Sequence, residues 1–262
     1  MQELKLPRFE SFDELLDQNI GYYDNVFFGN NSDWSKILFF FNGAITKKNV
    51  ERDLDSAIFQ RWSWHDKFRH PIFCIADPMT YGENGIPLAW YQGQTDELYL
   101  ENIISKIKLA LTKKTSTFES IAFGSSGGGF AALLTAQLGL ADSVIAINPQ
   151  TDILKFSEKN AVKAFLNCRK DHGVDGSDEA YSLLNVGFSL MKPHCNITYI
   201  QNTHDENHYH EHMIPYVTSL LKSGAPHLLN LYCFSNQTLG HNPPTLQMIS
   251  EIAGPAFKKL LK

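Results

Sequence analysis

The chain has 262 residues, 43% hydrophobic and 19% charged, with 23 lysines and arginines against 28 aspartates and glutamates for a formal net charge of −5. So apolar a composition excludes disorder, and mild acidity without clustered basic residues leaves no electrostatic footprint for nucleic acid. No stretch approaches the roughly 20 apolar residues that cross a bilayer; the longest dense run is 37–41.

From the N-terminus, Met1 to Phe12 intersperses Glu3, Lys5, Arg8 and Glu10 among its apolar residues. It thus lacks the continuous apolar region of a secretory signal, and the cytoplasm is the expected compartment. Strand-like runs follow at 36–41, 71–75, 120–123, 143–147, 196–201 and 230–234. Most are continuously apolar, which fits a sheet covered on both faces, as parallel sheets are. Helical patterns lie between them at 49–59, 96–114, 127–138, 213–222 and 245–261, with Asp96 placed to cap the second of these. Strands alternating with helices predict an α/β fold, a mostly parallel sheet with helices on both faces. No repeat or linker interrupts the chain, so 1–262 is expected to be one domain. Two segments break the rhythm: 77–95, which carries Trp90 and is expected to form pocket wall, and 149–194, expected to be a lid inserted between two strands. Cys74, Cys195 and Cys233 lie in or beside apolar runs without Cys-x-x-Cys spacing and read as reduced core thiols.

The chemistry concentrates in 120–134, where strand, glycine turn and helix enclose G-x-S-x-G as Gly124, Ser126 and Gly128. A serine at such an apex sits in a strained conformation with its hydroxyl above the sheet, and it needs small residues two places before and after it. Ser126 meets that condition on both sides; Ser125 would put Phe123 at the crowded position. A phosphate loop would need Lys and then Ser or Thr after Gly129, where Phe130 and Ala131 stand. A glycine turn whose serines merely cap the next helix is the competing reading.

The residues downstream bear on that choice. A serine nucleophile needs a base, and the base needs an acid to fix its tautomer. Asp205 follows the run at 196–201 and His241 the run at 230–234, each at a strand's C-terminal end, where ligands bind in open α/β sheets. Asp152, after 143–147, is a rival acid. His204, His208, His210 and His212 invite a metal reading, but the residue after His204 is Asp rather than Glu, and Pro215 argues against one continuous helix. Trp62, Trp64 and Trp90 could stack on a sugar or simply pack, and Lys47, Lys48 and Arg52 could meet the phosphates of coenzyme A or begin a solvated helix.

With its nucleophile turn, acid and base in the order Ser, Asp, His, the chain resembles the α/β-hydrolase superfamily from Lys36 to the last helix. The resemblance implies Ser126 as nucleophile, Asp205 as acid, His241 as base, and an oxyanion hole from the N–H of Gly127 and of Ala44 in the turn Asn42-Gly43-Ala44, where Asn42 replaces the His often found. The elbow, Asn148-Pro149-Gln150 and the acidic turn before His208 are similar to bacterial surface-glycan O-acetyltransferases. That similarity implies a small acyl ester of a carbohydrate as substrate. Asn42 and Gly43 in the turn beside the elbow, Trp90, and His208 or His210 at the pocket mouth are the expected substrate contacts. No cofactor is expected, acetyl-coenzyme A serving only as acyl donor if the enzyme is a transferase. The competing expectations are a non-catalytic glycan- or protein-binding module of the same fold, and a histidine-cluster metallohydrolase inactivated by chelator.

Overall fold

A computed structural model of the chain describes residues 25–28, 33–45, 57–81, 85–95, 99–112, 115–174, 181–184, 195–225 and 228–262. The N-terminal stretch, Asp96, Lys47, Lys48 and Arg52, most of the helix expected at 49–59 and parts of the expected lid lie outside them; Ala57 to Phe59 are described and are not helical.

Seven strands form one sheet: β1 Asn25–Phe28, β2 Lys36–Phe41, β3 Ile72–Ile75, β4 Glu119–Ser125, β5 Ser143–Ile147, β6 Asn196–Asn202 and β7 Leu229–Phe234. Their order is β1-β3-β2-β4-β5-β6-β7, and only β1 runs antiparallel to its neighbour. The six expected strands are all present. β2 shows why its sequence is continuously apolar: Ile37, Phe39 and Phe41 join the core on one face, while Leu38 and Phe40 join the core on the other. β7, at the sheet edge, is only half covered, with Leu231 exposed.

The larger core holds α1 Tyr99–Leu111, α2 Gly127–Gln137, α3 Lys159–Asp171 and α4 Ile214–Lys222; the smaller holds α5 Leu246–Ile252 and α6 Gly254–Lys258. α2 is buried along its entire length, consistent with a helix apolar on every side. The single helix expected over 245–261 is broken instead. Gly254 takes a φ of +66° and Pro255 supplies no N–H, so the chain turns between α5 and α6. A second difference concerns 206–222, which begins after His204 and leaves that residue outside the helix, as expected. Helical structure runs through it without a break, because a π-helical turn at His208–Met213, with Ile214 N–H bonded to Tyr209 five residues back, leads into α4 and its early Pro215. Among the described residues no helix is long and apolar enough to cross a membrane, and all four cysteines are free thiols.

Between β4 and α2 the chain passes so close to itself that side chains are excluded. A Cβ on Gly124 would stand 2.1 Å from the Gly128 carbonyl oxygen, and one on Gly128 would stand 2.5 Å from that of Phe41. Both contacts are with backbone, which cannot swing aside. Gly124→Ala is therefore expected to cost about 3 kcal/mol, read as a fall of roughly 10 °C in Tm in a thermal melt, whereas Gly173→Ala, in open space at φ +78°, should cost about 1 kcal/mol.

Candidate active site

Ser126 stands at the bend between β4 and α2 with φ 56° and ψ −125°, a region that side chains rarely adopt. The bend lifts its hydroxyl off the end of the sheet, and the residue is 8% exposed. His241 lies in the loop between β7 and α5, and its Nε2 is 3.0 Å from Ser126 Oγ. Its Nδ1 is 2.6 Å from Asp205 Oδ2, Asp205 being the residue that opens the helical segment after β6. The structure thus brings together three residues separated by up to 115 positions. The loop carrying His241 is itself tied down. Asn202, at the end of β6, donates to the Asn236 and Gly240 carbonyls and accepts from Asn236 N–H, while its own N–H donates to Asn148 Oδ1.

Asp205 serves two histidines. Its Oδ1 accepts from His208 Nδ1 at 2.9 Å, and the His208 ring lies on the His241 ring with centroids 4.0 Å apart. Burial alone would raise the Asp205 pKa, but hydrogen bonds from His208 and His241 outweigh it and hold the carboxyl well below the usual range. An ionised carboxylate only accepts, so both imidazoles carry their protons on Nδ1. That leaves His241 Nε2 free to take a proton from Ser126. His208, expected at the pocket mouth, is instead 2% exposed behind His241, where burial lowers its pKa.

Asp152 does not compete for this place. Its Oδ1 caps the short 3-10 turn Ile153–Lys155 by accepting from Leu154 N–H at 3.0 Å.

The amides beside the elbow show which donors remain. Asn42 N–H donates to Tyr91 Oη, Gly43 N–H to Gln60 Oε1, and Ile45 N–H to the Pro87 carbonyl. Ala44 N–H alone of these four has no partner among the described residues. A Cβ on Gly43 would lie 3.5 Å from Ser126 Cβ, so this turn flanks the serine directly. Gly127 N–H, in the first turn of α2, likewise has no intrahelical acceptor. The Asn42 side chain is occupied in holding the turn, bonding Ile58 and Gln60 backbone. Trp90, expected to face substrate, is fully buried; its ring packs on Phe156 and Phe165. Trp62 and Trp64 pack against the smaller core.

Gln150 is the residue that sequence reasoning left without a role. Fully buried beyond β5, it donates through Nε2 to Ser126 Oγ at 3.1 Å. Its position in Asn148-Pro149-Gln150, at the C-terminal end of a central strand, was the signal that could have marked it.

Of the four clustered histidines, His204 and His210 are exposed while His208 and His212 are buried. Asp205, His208 and His241 each place a ligating atom within 4.8 Å of the others, but the two imidazole nitrogens concerned already donate to the carboxylate. His212 accepts Thr151 N–H at Nδ1, and its buried Nε2–H meets no acceptor among the described residues. Burial pushes its pKa down to about 3. The unfolded chain binds that proton at about 6.5, so the stability protected by neutral His212 is present above about 6.5 and lost as the pH falls toward 3. Each pH unit in that window is expected to cost up to about 1.4 kcal/mol. Urea midpoints at pH 7.5, 5.5 and 4.5 should fall more steeply for the native chain than for His212→Asn.

No protein-family model and no curated protein matches the chain. Solved structures do. The capsule O-acetyltransferase of Neisseria meningitidis serogroup A superposes with a TM-score of 0.65 at 17% identity, covering 90% of this chain and 91% of that one. A histidine-to-alanine mutant of the same enzyme, in complex with CoA, gives 0.54 at 15% identity over 81% and 83% of the two chains. Porphyromonas gingivalis dipeptidyl peptidase 4 gives 0.60 at 14% identity, over 90% of this chain and 33% of that one. The chain has an α/β-hydrolase-like fold, similar to that of the capsule O-acetyltransferase.

Proposed function

We propose that the protein is a serine-dependent acyl-transfer enzyme, an O-acetyltransferase or esterase acting on a small acyl ester of a carbohydrate. The observation that carries this reading is the hydrogen-bonded chain Ser126–His241–Asp205 on a strained elbow. Ser126 Oγ attacks the acyl carbonyl carbon as its proton passes to His241 Nε2, and Asp205 stabilises the resulting imidazolium. Gly127 and Ala44 N–H groups receive the carbonyl oxygen as it gains negative charge, each worth roughly 10²- to 10³-fold in rate. Collapse expels the alcohol or thiol, which takes the proton from His241, and the acyl group remains as an ester on Ser126. A sugar hydroxyl or water, deprotonated by His241, then takes the acyl group.

Two points favour acetyl transfer from acetyl-coenzyme A: the fold likeness spans nearly the full length of a capsule O-acetyltransferase, and a histidine-to-alanine mutant of that enzyme is known in complex with CoA. The described part of the inserted segment, 149–174 and 181–184, serves as the lid that keeps water from the acyl-enzyme, and the cytoplasm, where acetyl-coenzyme A is made, is the proposed site of action. The test is incubation with acetyl-coenzyme A and, separately, with a model acetate ester, followed by intact mass. An acetyl adduct on Ser126 from the thioester alone is the expected result. An adduct from the simple ester alone would make the protein an esterase, and none from either would remove the reading.

A further inference from the structure

Asparagine and glutamine amides usually leave their oxygen and nitrogen ends to be assigned by guesswork, but here the surroundings decide. Trp90 Nε1 is a donor only, and it bonds the Oε1 end of Gln150. The opposite end must therefore be the NH₂ group. That nitrogen faces two atoms at once, Ser126 Oγ at 3.1 Å and His208 Nε2 at 3.4 Å. With one proton toward each, His208 Nε2 has to be an acceptor, so the His208 proton sits on Nδ1, where Asp205 Oδ1 receives it. The bonds close into a ring running Ser126, His241, Asp205, His208, Gln150 and back to Ser126. Each proton in the ring has one donor and one acceptor, and the buried indole of Trp90 sets its direction. Gln150 is further anchored by its own backbone N–H, which donates to the Ser126 carbonyl at 3.2 Å.

We infer that Gln150 is a further catalytic residue, an amide donor on the nucleophile oxygen that Trp90 orients, and that His208, held neutral by it, is a positioning residue for Asp205. The inference rests on the acyl-transfer reading above. The Gln150 N–H bond to Ser126 Oγ strengthens whenever that oxygen gains charge. This happens as its proton leaves for His241 during attack, and again when the Oγ–acyl bond breaks and Oγ recovers a proton from His241. An accepting group in the same place would oppose both events. His208, neutral and stacked on His241, braces the carboxylate without placing a second positive charge beside the imidazolium that forms in the reaction.

Two variants and two readouts test this. Gln150→Leu removes the donor at similar volume; Gln150→Glu keeps an acceptor for Trp90 and presents a carboxylate oxygen to Ser126 and His208. Labelling of the folded protein by a fluorophosphonate is expected to slow about 10²-fold in both, the size of a lost donor at a reacting oxygen, with the circular dichroism spectrum unchanged. Nitrogen chemical shifts of the imidazoles are expected to show His208 as the neutral Nδ1–H tautomer in the native chain and as a doubly protonated ring in Gln150→Glu. Native-like labelling rates in a folded variant would overturn the role of Gln150 while leaving acyl transfer intact. A native chain that the probe does not label would overturn acyl transfer itself. The tautomer measurement then stands alone, and a native His208 protonated on Nε2 would overturn the ring.

Discussion

Ser126→Ala is expected to lower turnover about 10⁶-fold, the scale on which a triad loses activity when its nucleophile is removed. Ser126 Oγ is the atom on which His241 Nε2 and Gln150 Nε2 both converge, at 3.0 and 3.1 Å, so no neighbouring hydroxyl inherits the role. Ser125 is the nearest candidate in sequence, and its Oγ accepts from the Arg61 guanidinium at 2.6 Å, away from His241. A second substitution separates chemistry from folding. Ser126 holds φ 56° and ψ −125°, a conformation that costs a non-glycine residue on the order of 1–3 kcal/mol. Ser126→Gly should therefore be inactive and yet more stable than the native chain by about 1 kcal/mol. Steady-state rates with acetyl donors and denaturant midpoints for the two variants check both halves. Near-native turnover in either variant would exclude Ser126 as the nucleophile.

Asp205→Asn is expected to cost about 10⁴-fold, as loss of the triad carboxylate does when geometry is kept. Here the reason is doubled. Asp205 receives Nδ1–H from His241 on one oxygen and from His208 on the other; an asparagine offers one acceptor and one donor to the same two rings. One ring must then turn its proton to Nε2. If that ring is His241, its Nε2–H points at Ser126 and cannot take the hydroxyl proton. Asp152→Asn should leave turnover within a few-fold, since Asp152 is engaged in capping Leu154 N–H and an asparagine still caps. Comparing kcat for the two variants tells them apart, and a large loss in Asp152→Asn with little in Asp205→Asn would reverse the assignment.

Much of this architecture was legible along the chain. Continuous apolar runs bounded by turns marked six strands, because a residue buried on either sheet face must be apolar whichever way it points. Gly124, Ser126 and Gly128 marked the elbow, because the approach of Phe41, Gly124 and Gly128 backbones leaves no room for a Cβ. The break at Gly254-Pro255 was equally present in the sequence, but the apolar period of 245–261 masked it. β1 falls at the sheet edge, and its four residues carry too weak a pattern to be told from the irregular chain around them.

By itself, then, the sequence determined the local events: where the chain extends, where it coils, where only glycine fits, and the order in which a hydroxyl, a carboxylate and an imidazole reach the strand ends. Such features depend on residues within a few positions of one another. Which carboxylate meets His241, why Trp90 is fully buried, and how Gln150 and His208 join the ring were decided only by the tertiary structure. Side chains from the segments that follow β4, β5, β6 and β7 meet there across more than 100 positions of chain, and hydrogen bonds of such precise geometry arise only once packing has fixed every one of those elements.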